Sequence, residues 1–205
     1  MQLFAERGFG ATAVADIESK VGLQPRRGGM YKHFENKQAL LEAGVHRDLA
    51  RVRTMAAEIS ALDVDADAMT ASSLRMVVMQ LGRWFLDEMT RLESLTRVLE
   101  HDGHRMKRLL AIVRKDIVDL GYRTAANLVS TVAPGVDDPD AMAVVFVGSL
   151  AGYRRTTWTF DSPPIDVDDD RVLKAWTDTT ASALEAARRR RPPDRLVPAC
   201  RQSRS

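Results

Sequence analysis

Residues 12–34, TAVADIESKVGLQPRRGGMYKHF, constrain the chain more than any other stretch. Gly22, Leu23 and Pro25 divide them into two short helical segments joined by a tight turn. Thr12 suits the N-cap of the first segment, which is expected to run to about Val21 and to turn Ala13, Ile17 and Val21 inward, with Leu23 plugging the turn. Pro25 suits the first turn of the second. A helix-turn-helix that meets DNA needs a short first helix, a tight turn and a second helix with polar residues near its start, facing the major groove. Here Arg26 and Arg27 would reach guanine edges or phosphates from that first turn. Gly28 and Gly29 would let the backbone approach the duplex closely, although each weakens a helix by about 1 kcal/mol relative to Ala. Tyr31, Lys32 and His33 are placed for phosphates, and Met30 and Phe34 face inward. Thr12 and Lys37, at the starts of flanking helices, complete the expected DNA-facing set.

The rest of the chain reads as helices. Leu3 and Phe4 point inward from a short first helix that Gly8 stops. Amphipathic stripes predict helices over 37–61, 68–90, 92–101, 104–132 (with Gly121 as an irregularity), 139–159 and 169–189. The helix at 139–159 is apolar around most of its circumference, so it lies either at the centre of the fold or in a subunit interface. Its Gly148 and Gly152 would allow another helix to come close. Proline pair Pro192-Pro193 ends the last helix, and 191–205 is expected to be a disordered basic tail. No stretch alternates as a strand does, so the fold class is all-α.

Charge is nearly balanced at +2 but unevenly placed. Residues 1–37 hold 6 basic and 4 acidic side chains, 38–187 hold 17 and 23, and 188–205 hold 7 arginines against Asp194. An acidic body with basic ends meets a polyanion through its ends. The single cysteine, Cys200, rules out an intrachain disulfide and a thiolate zinc set. No apolar run is long enough to span a bilayer and no secretory signal is visible, so a cytoplasmic protein is expected. The aspartate series at 63–67 and 166–170 fail as calcium loops, because Ala68 and Leu74, and Arg171 and Thr177, stand where Gly and Glu are required.

The segments LFAERGF, ATAVADIESKVGL and GGMYKHFENKQALL together resemble the N-terminal DNA-binding domain of TetR-type transcriptional regulators. The resemblance covers about residues 2–46. It implies a three-helix DNA-binding domain at 1–46 and a helical effector-binding and dimerisation domain at 47–190. It further implies a homodimer formed through about 139–159 and 169–189, a palindromic DNA operator and a small-molecule effector that releases a repressor. Two departures stand out. The QPRRGG stretch makes the Gly22–Tyr31 spacing two residues longer than the family's usual pattern, and the first helix, starting at Met1, is shorter than usual.

An effector pocket would draw on apolar and aromatic side chains of the body, and the candidates are Met76, Trp84, Met89, Tyr122, Phe146, Tyr153 and Trp158. The alternative function is a metal-assisted helical enzyme built on Glu100, His101, Asp102 and His104. No nucleophile with a paired base, phosphate-cradling loop or dinucleotide fingerprint accompanies that cluster. The expectation is therefore no catalytic residue, no metal and no cofactor.

Overall fold

Apolar residues at three- and four-residue spacings dictate helices, and the computed structural model, which describes residues 1–190, holds helices and no strand among those residues. The tail expected at 191–205 lies outside the described residues. The elements are α1 (Gln2–Ala11), α2 (Val14–Lys20), a 3-10 turn (Met30–Lys32), α3 (Lys37–Ser60), α4 (Ala71–Asp102), a second 3-10 turn (Gly103–Arg105), α5 (Lys107–Val113), a π-helical stretch (Arg114–Asp119), α6 (Leu120–Val132), α7 (Pro139–Phe160), a third 3-10 turn (Pro164–Asp166) and α8 (Asp169–Arg189).

Side-chain caps fix where the long helices begin. Asn36 accepts from the Ala39 amide at 2.8 Å, Thr70 from Ser73 at 3.1 Å, Asp138 from Ala141 at 2.9 Å and Asp168 from Arg171 at 2.9 Å. Each such cap is worth about 1 kcal/mol. One expected break is missing: 68–90 and 92–101 form a single helix, α4, of 32 residues. Nothing in that span forces a break, since its one glycine, Gly82, lies mid-helix and no proline occurs between Ala71 and Asp102. Conversely, the helix expected over 104–132 starts only at Lys107, after the non-helical Met106, and then runs without a gap to Val132 through the π-helical stretch.

Among the described residues three cores join these helices, the smallest of them made by Leu86 of α4, Leu150 of α7 and Leu173 of α8. Phe4 of α1, Leu41, Val45 and Leu49 of α3, Leu95 and Val98 of α4 and Leu109 of α5 make the first. Truncating such a fully buried Leu to Ala costs about 2–5 kcal/mol. Leu74 and Val78 of α4, Val129 and Val132 of α6 and Leu184 of α8 make the second. The boundary expected after residue 46 falls inside α3, which runs on without interruption and carries core residues on both sides of it.

Helix α4 crosses α8 at Gly82. A Cβ there would lie 2.6 Å from the Trp176 ring and 2.7 Å from Leu173 Cδ1, so only glycine admits this approach. The close approach expected at Gly148 and Gly152 is not made within the chain: the nearest atom to a Cβ at Gly148 is the Tyr122 hydroxyl at 3.9 Å, and nothing comes within 4 Å at Gly152. On α7, Val144 and Val145 are 54% and 65% exposed, so this apolar helix is not buried from all sides within one chain.

Candidate nucleic-acid interface

The first helix of the pair, α2, begins later than its sequence suggests. Ala13, not Thr12, occupies the N-cap position. Thr12 is buried, and its hydroxyl donates to the carbonyl oxygens of Gly8 (2.7 Å) and Leu3 (3.1 Å). It closes the end of α1, and its hydroxyl is engaged inside the protein. The inner face of α2 is also rotated from the expected one. Glu18 is 1% exposed, whereas Val21 is 65% exposed.

Glu18 organises the irregular segment after α2. Gly22 ends α2 at φ 77°, a left-handed conformation open to glycine, and the Leu23 amide then folds back onto the Glu18 carbonyl at 2.8 Å. Residues 25–29 are turns rather than the first part of a second helix, and a helix is reached only in the 3-10 turn Met30–Lys32. The two extra residues in QPRRGG are taken up here. Arg26 adopts φ 63°, a conformation that costs a non-glycine residue about 1–2 kcal/mol. The Glu18 carboxylate offsets that cost by accepting the Arg26 amide at 2.8 Å and the buried Met30 amide at 3.1 Å. A buried carboxylate thus holds both ends of the irregular segment, and nothing in the local pattern of the sequence announced it.

Around this staple lie the exposed cations. Lys20, Arg26, Arg27 and Lys32 form no ion pair among the described residues, and Tyr31 is 56% exposed beside them with His33. Arg26 and Arg27 stand on the turn, not on a helix face, a correction that follows from Pro25, Gly28 and Gly29 withholding helix propensity there. Gly28 sits in the same turn at φ 71°. Lys37 is placed differently. Its ammonium donates to the carbonyls of Phe9 (2.5 Å) and Thr12 (2.8 Å) and lies 4.5 Å from the Phe9 ring centroid. It caps the exit of α1, so its donors point into the protein rather than toward a phosphate.

The body encloses a cavity of about 620 Å³ among α3 to α8. Trp84, Met89, Tyr122 and Phe146 line it. Met76, Tyr153 and Trp158 do not. Met76 lies on the outer face of α4 at 54% exposure, and Tyr153 spends its hydroxyl on Val167 and Asp169 at the start of α8. Trp158 sits past the cavity near the end of α7, where its carbonyl accepts Arg97 at 3.0 Å. The π-helical stretch helps shape the wall, bringing the adjacent Ile117 and Val118 both onto it. Glu88 faces the cavity from α4 and is clamped by Arg51 of α3, whose Nε and NH2 both reach its carboxylate (3.0 and 2.8 Å). The hydrogen bond to Glu88 is the largest of the effects that raise the Arg51 pKa.

The Glu100, His101, Asp102 and His104 group does not converge. Glu100 pairs with Arg155 at 3.1 Å, and both histidines are exposed. Asp102 is buried and accepts the Phe9 amide of α1 at 2.7 Å. That bond ties the end of α4, whose Leu95 and Leu99 line the cavity, to the same residue that Lys37 caps.

No curated protein sequence matches the chain. A solved structure, that of a TetR-family transcriptional regulator from Pectobacterium atrosepticum, is similar at 24% identity, spanning 89% of this chain and 84% of that one with a TM-score of 0.39. The family model described as "Bacterial regulatory proteins, tetR family" matches residues 1–43, the stretch that holds α1, α2, the Glu18-stapled turn and the start of α3. The N-terminal segment is therefore similar to that of the bacterial tetR-family regulatory proteins.

Proposed function

We propose that the chain is a homodimeric repressor that reads a palindromic operator and lets go of it when a small molecule fills the cavity. Residues 1–46 form the DNA-binding unit in this reading, and 47–190 the effector-binding and dimerisation unit, with α3 shared between them. One observation carries it: within the segment matched by the family model, Lys20, Arg26, Arg27 and Lys32 stand exposed and free of ion pairs among the described residues, next to Tyr31. Unpaired cations with an aromatic neighbour suit the phosphate backbone of a duplex. The exposed Val144 and Val145, with the uncovered Gly152, support a second copy packing on α7. The Asp102–Phe9 bond supports communication between cavity and DNA-binding unit, since a shift of α4 moves the residue that anchors α1.

The test is selection of bound DNA from a random duplex library by the full-length protein. Enrichment of an inverted repeat with half-sites about one helical turn apart is the expected result. Recovery of unenriched DNA would sink the reading. Replacing Val145 with Arg should convert a dimer to a monomer in sedimentation velocity, and an unchanged mass would remove α7 from the interface.

A further inference from the structure

The cavity wall carries few charges, and every one is already engaged. Glu88 accepts from Arg51 through both carboxylate oxygens, with Asp48 of α3 on the far side of the same guanidinium at 3.3 Å. Glu100 pairs with Arg155 at 3.1 Å. A cationic ligand would find both wall carboxylates neutralised, and an anionic ligand would find Arg155 occupied. A cation would have to break the part-buried Arg51–Glu88 pair, and an ion of either sign held in the apolar interior would lack a partner there, since Arg155 and Glu100 lie at the exposed rim.

The hydroxyl groups on the wall divide differently. Thr96 and Thr124 donate to the carbonyls of Leu92 and Leu120 one turn back in their own helices. Thr180 does not. It is 4% exposed, lines the cavity from α8, and its Oγ1 has no hydrogen-bond partner among the described residues. A buried hydroxyl left unpaired costs about 1–3 kcal/mol, which a ligand polar group would recover. The Tyr122 hydroxyl, on the same wall from α6, also makes no hydrogen bond among the described residues.

From these two observations we infer that the cavity is built for an uncharged, largely apolar molecule bearing a hydroxyl or carbonyl group, which Thr180 and Tyr122 receive. The inference deepens the reading of the cavity as the effector site and rests on it. A volume of about 620 Å³ lies within the range of sites for small organic ligands.

Three probes with one tail and different heads test it on the full-length protein: decan-1-ol below its solubility limit, and decanoate and decyltrimethylammonium below their micelle concentrations. Trp84 and Trp176 both line the cavity, so their fluorescence reports entry, with calorimetry as the check. The alcohol is expected to bind about tenfold or more tightly than either ion. Thr180→Val and Tyr122→Phe should each weaken the alcohol by about threefold to tenfold, at unchanged helical content by circular dichroism. Decanoate or the ammonium binding as tightly as the alcohol overturns the inference. So does the absence of any saturable signal, and so does wild-type alcohol affinity in both variants. Should a variant fail to fold, the head-group comparison on the unaltered protein still decides. These titrations contain no DNA, so their failure leaves the operator selection as the judge of the regulator reading, and failure of the selection leaves this ligand preference standing.

Discussion

Replacing Glu18 with Ala tests how much of the N-terminal unit hangs on one side chain. The carboxylate accepts two main-chain amides, Arg26 at 2.8 Å and Met30 at 3.1 Å. The Met30 bond is buried, so its loss leaves an amide that water cannot reach, at about 1–3 kcal/mol. Arg26 lies on an exposed turn, and water can replace that bond for about 1 kcal/mol or less. The sum is about 1–4 kcal/mol, and it falls on residues 24–32 before it reaches the rest of the fold. Glu18→Gln keeps one acceptor but offers an NH2 group to the other amide, so it should recover only part of the loss. Hydrogen exchange read by NMR at the Arg26 and Met30 amides is the direct assay. Both should exchange about thirtyfold or more faster in Glu18→Ala, the factor that corresponds to about 2 kcal/mol. Affinity for a selected operator should fall by a similar factor, because the disordered turn must be refolded on the DNA. Wild-type exchange at both amides in Glu18→Ala would refute the reasoning, whatever happened to DNA affinity.

The same structure sets three further outcomes. Lys32→Ala should reduce the slope of log affinity against log salt by about 0.9, whereas Lys37→Ala should leave the slope unchanged and lower stability by about 1–2 kcal/mol, because its ammonium already serves the Phe9 and Thr12 carbonyls; a Lys37 slope change equal to that of Lys32 would put it on a phosphate. Gly82→Ala should cost about 1–3 kcal/mol, seen as a lower thermal midpoint with altered Trp176 fluorescence, since the new methyl meets Trp176 and Leu173. Burial, then the hydrogen bond to Asp169 and its charge, push the Tyr153 phenol from 10.0 up to about 12. The folded state therefore favours the neutral phenol, and its contribution, complete below pH 10.0, is lost as pH rises through about 12. Burial alone would raise the Asp169 carboxyl, but hydrogen bonds from Arg154 and Tyr153 outweigh it and hold the group below 3.8, so this contribution is present above 3.8 and is lost as pH falls through the lower folded value. Urea midpoints measured against pH should show both losses, and Tyr153→Phe should abolish the alkaline one.

The long helices were legible because their starts carry local chemistry. Asn36, Asp138-Pro139 and Asp168 cap α3, α7 and α8, and the expected and observed bounds of these helices agree to within a residue. The recognition segment was less legible, because two local signals conflict there. Met30 and Phe34 at helical spacing do produce a turn, with the Phe34 amide on the Met30 carbonyl at 3.0 Å, but Pro25, Gly28 and Gly29 keep that turn from extending backward. The pocket candidates divided for a related reason. Helical spacing alone does not say which side of a helix faces the cavity, so Trp84 and Met89 line it while Met76 on the same helix does not.

The inward roles of Glu18, Lys37 and Asp102 are invisible to local pattern for a common cause. Each is an ionisable residue that local pattern assigns to the surface, and each is drawn inward by a main-chain group far along the chain. Glu18 serves the amides of Arg26 and Met30, Lys37 the carbonyls of Phe9 and Thr12, and Asp102 the Phe9 amide. All of those main-chain groups lie where a helix stops, where it kinks (α1 at Gly8, φ 79°) or before it has begun, the places that leave amides and carbonyls without helical partners. An N-terminal unit broken by Gly8, Gly22, Gly28 and Gly29 creates many such groups. Charged residues of that unit must therefore be offered first to its own backbone, and only the remainder to a polyanion. By that accounting we propose that Lys37 and Thr12 leave the expected DNA-facing set, that Arg26, Arg27 and Lys32 stay in it, and that Lys20 joins them. The Lys32 and Lys37 salt slopes separate these two groups by direct measurement.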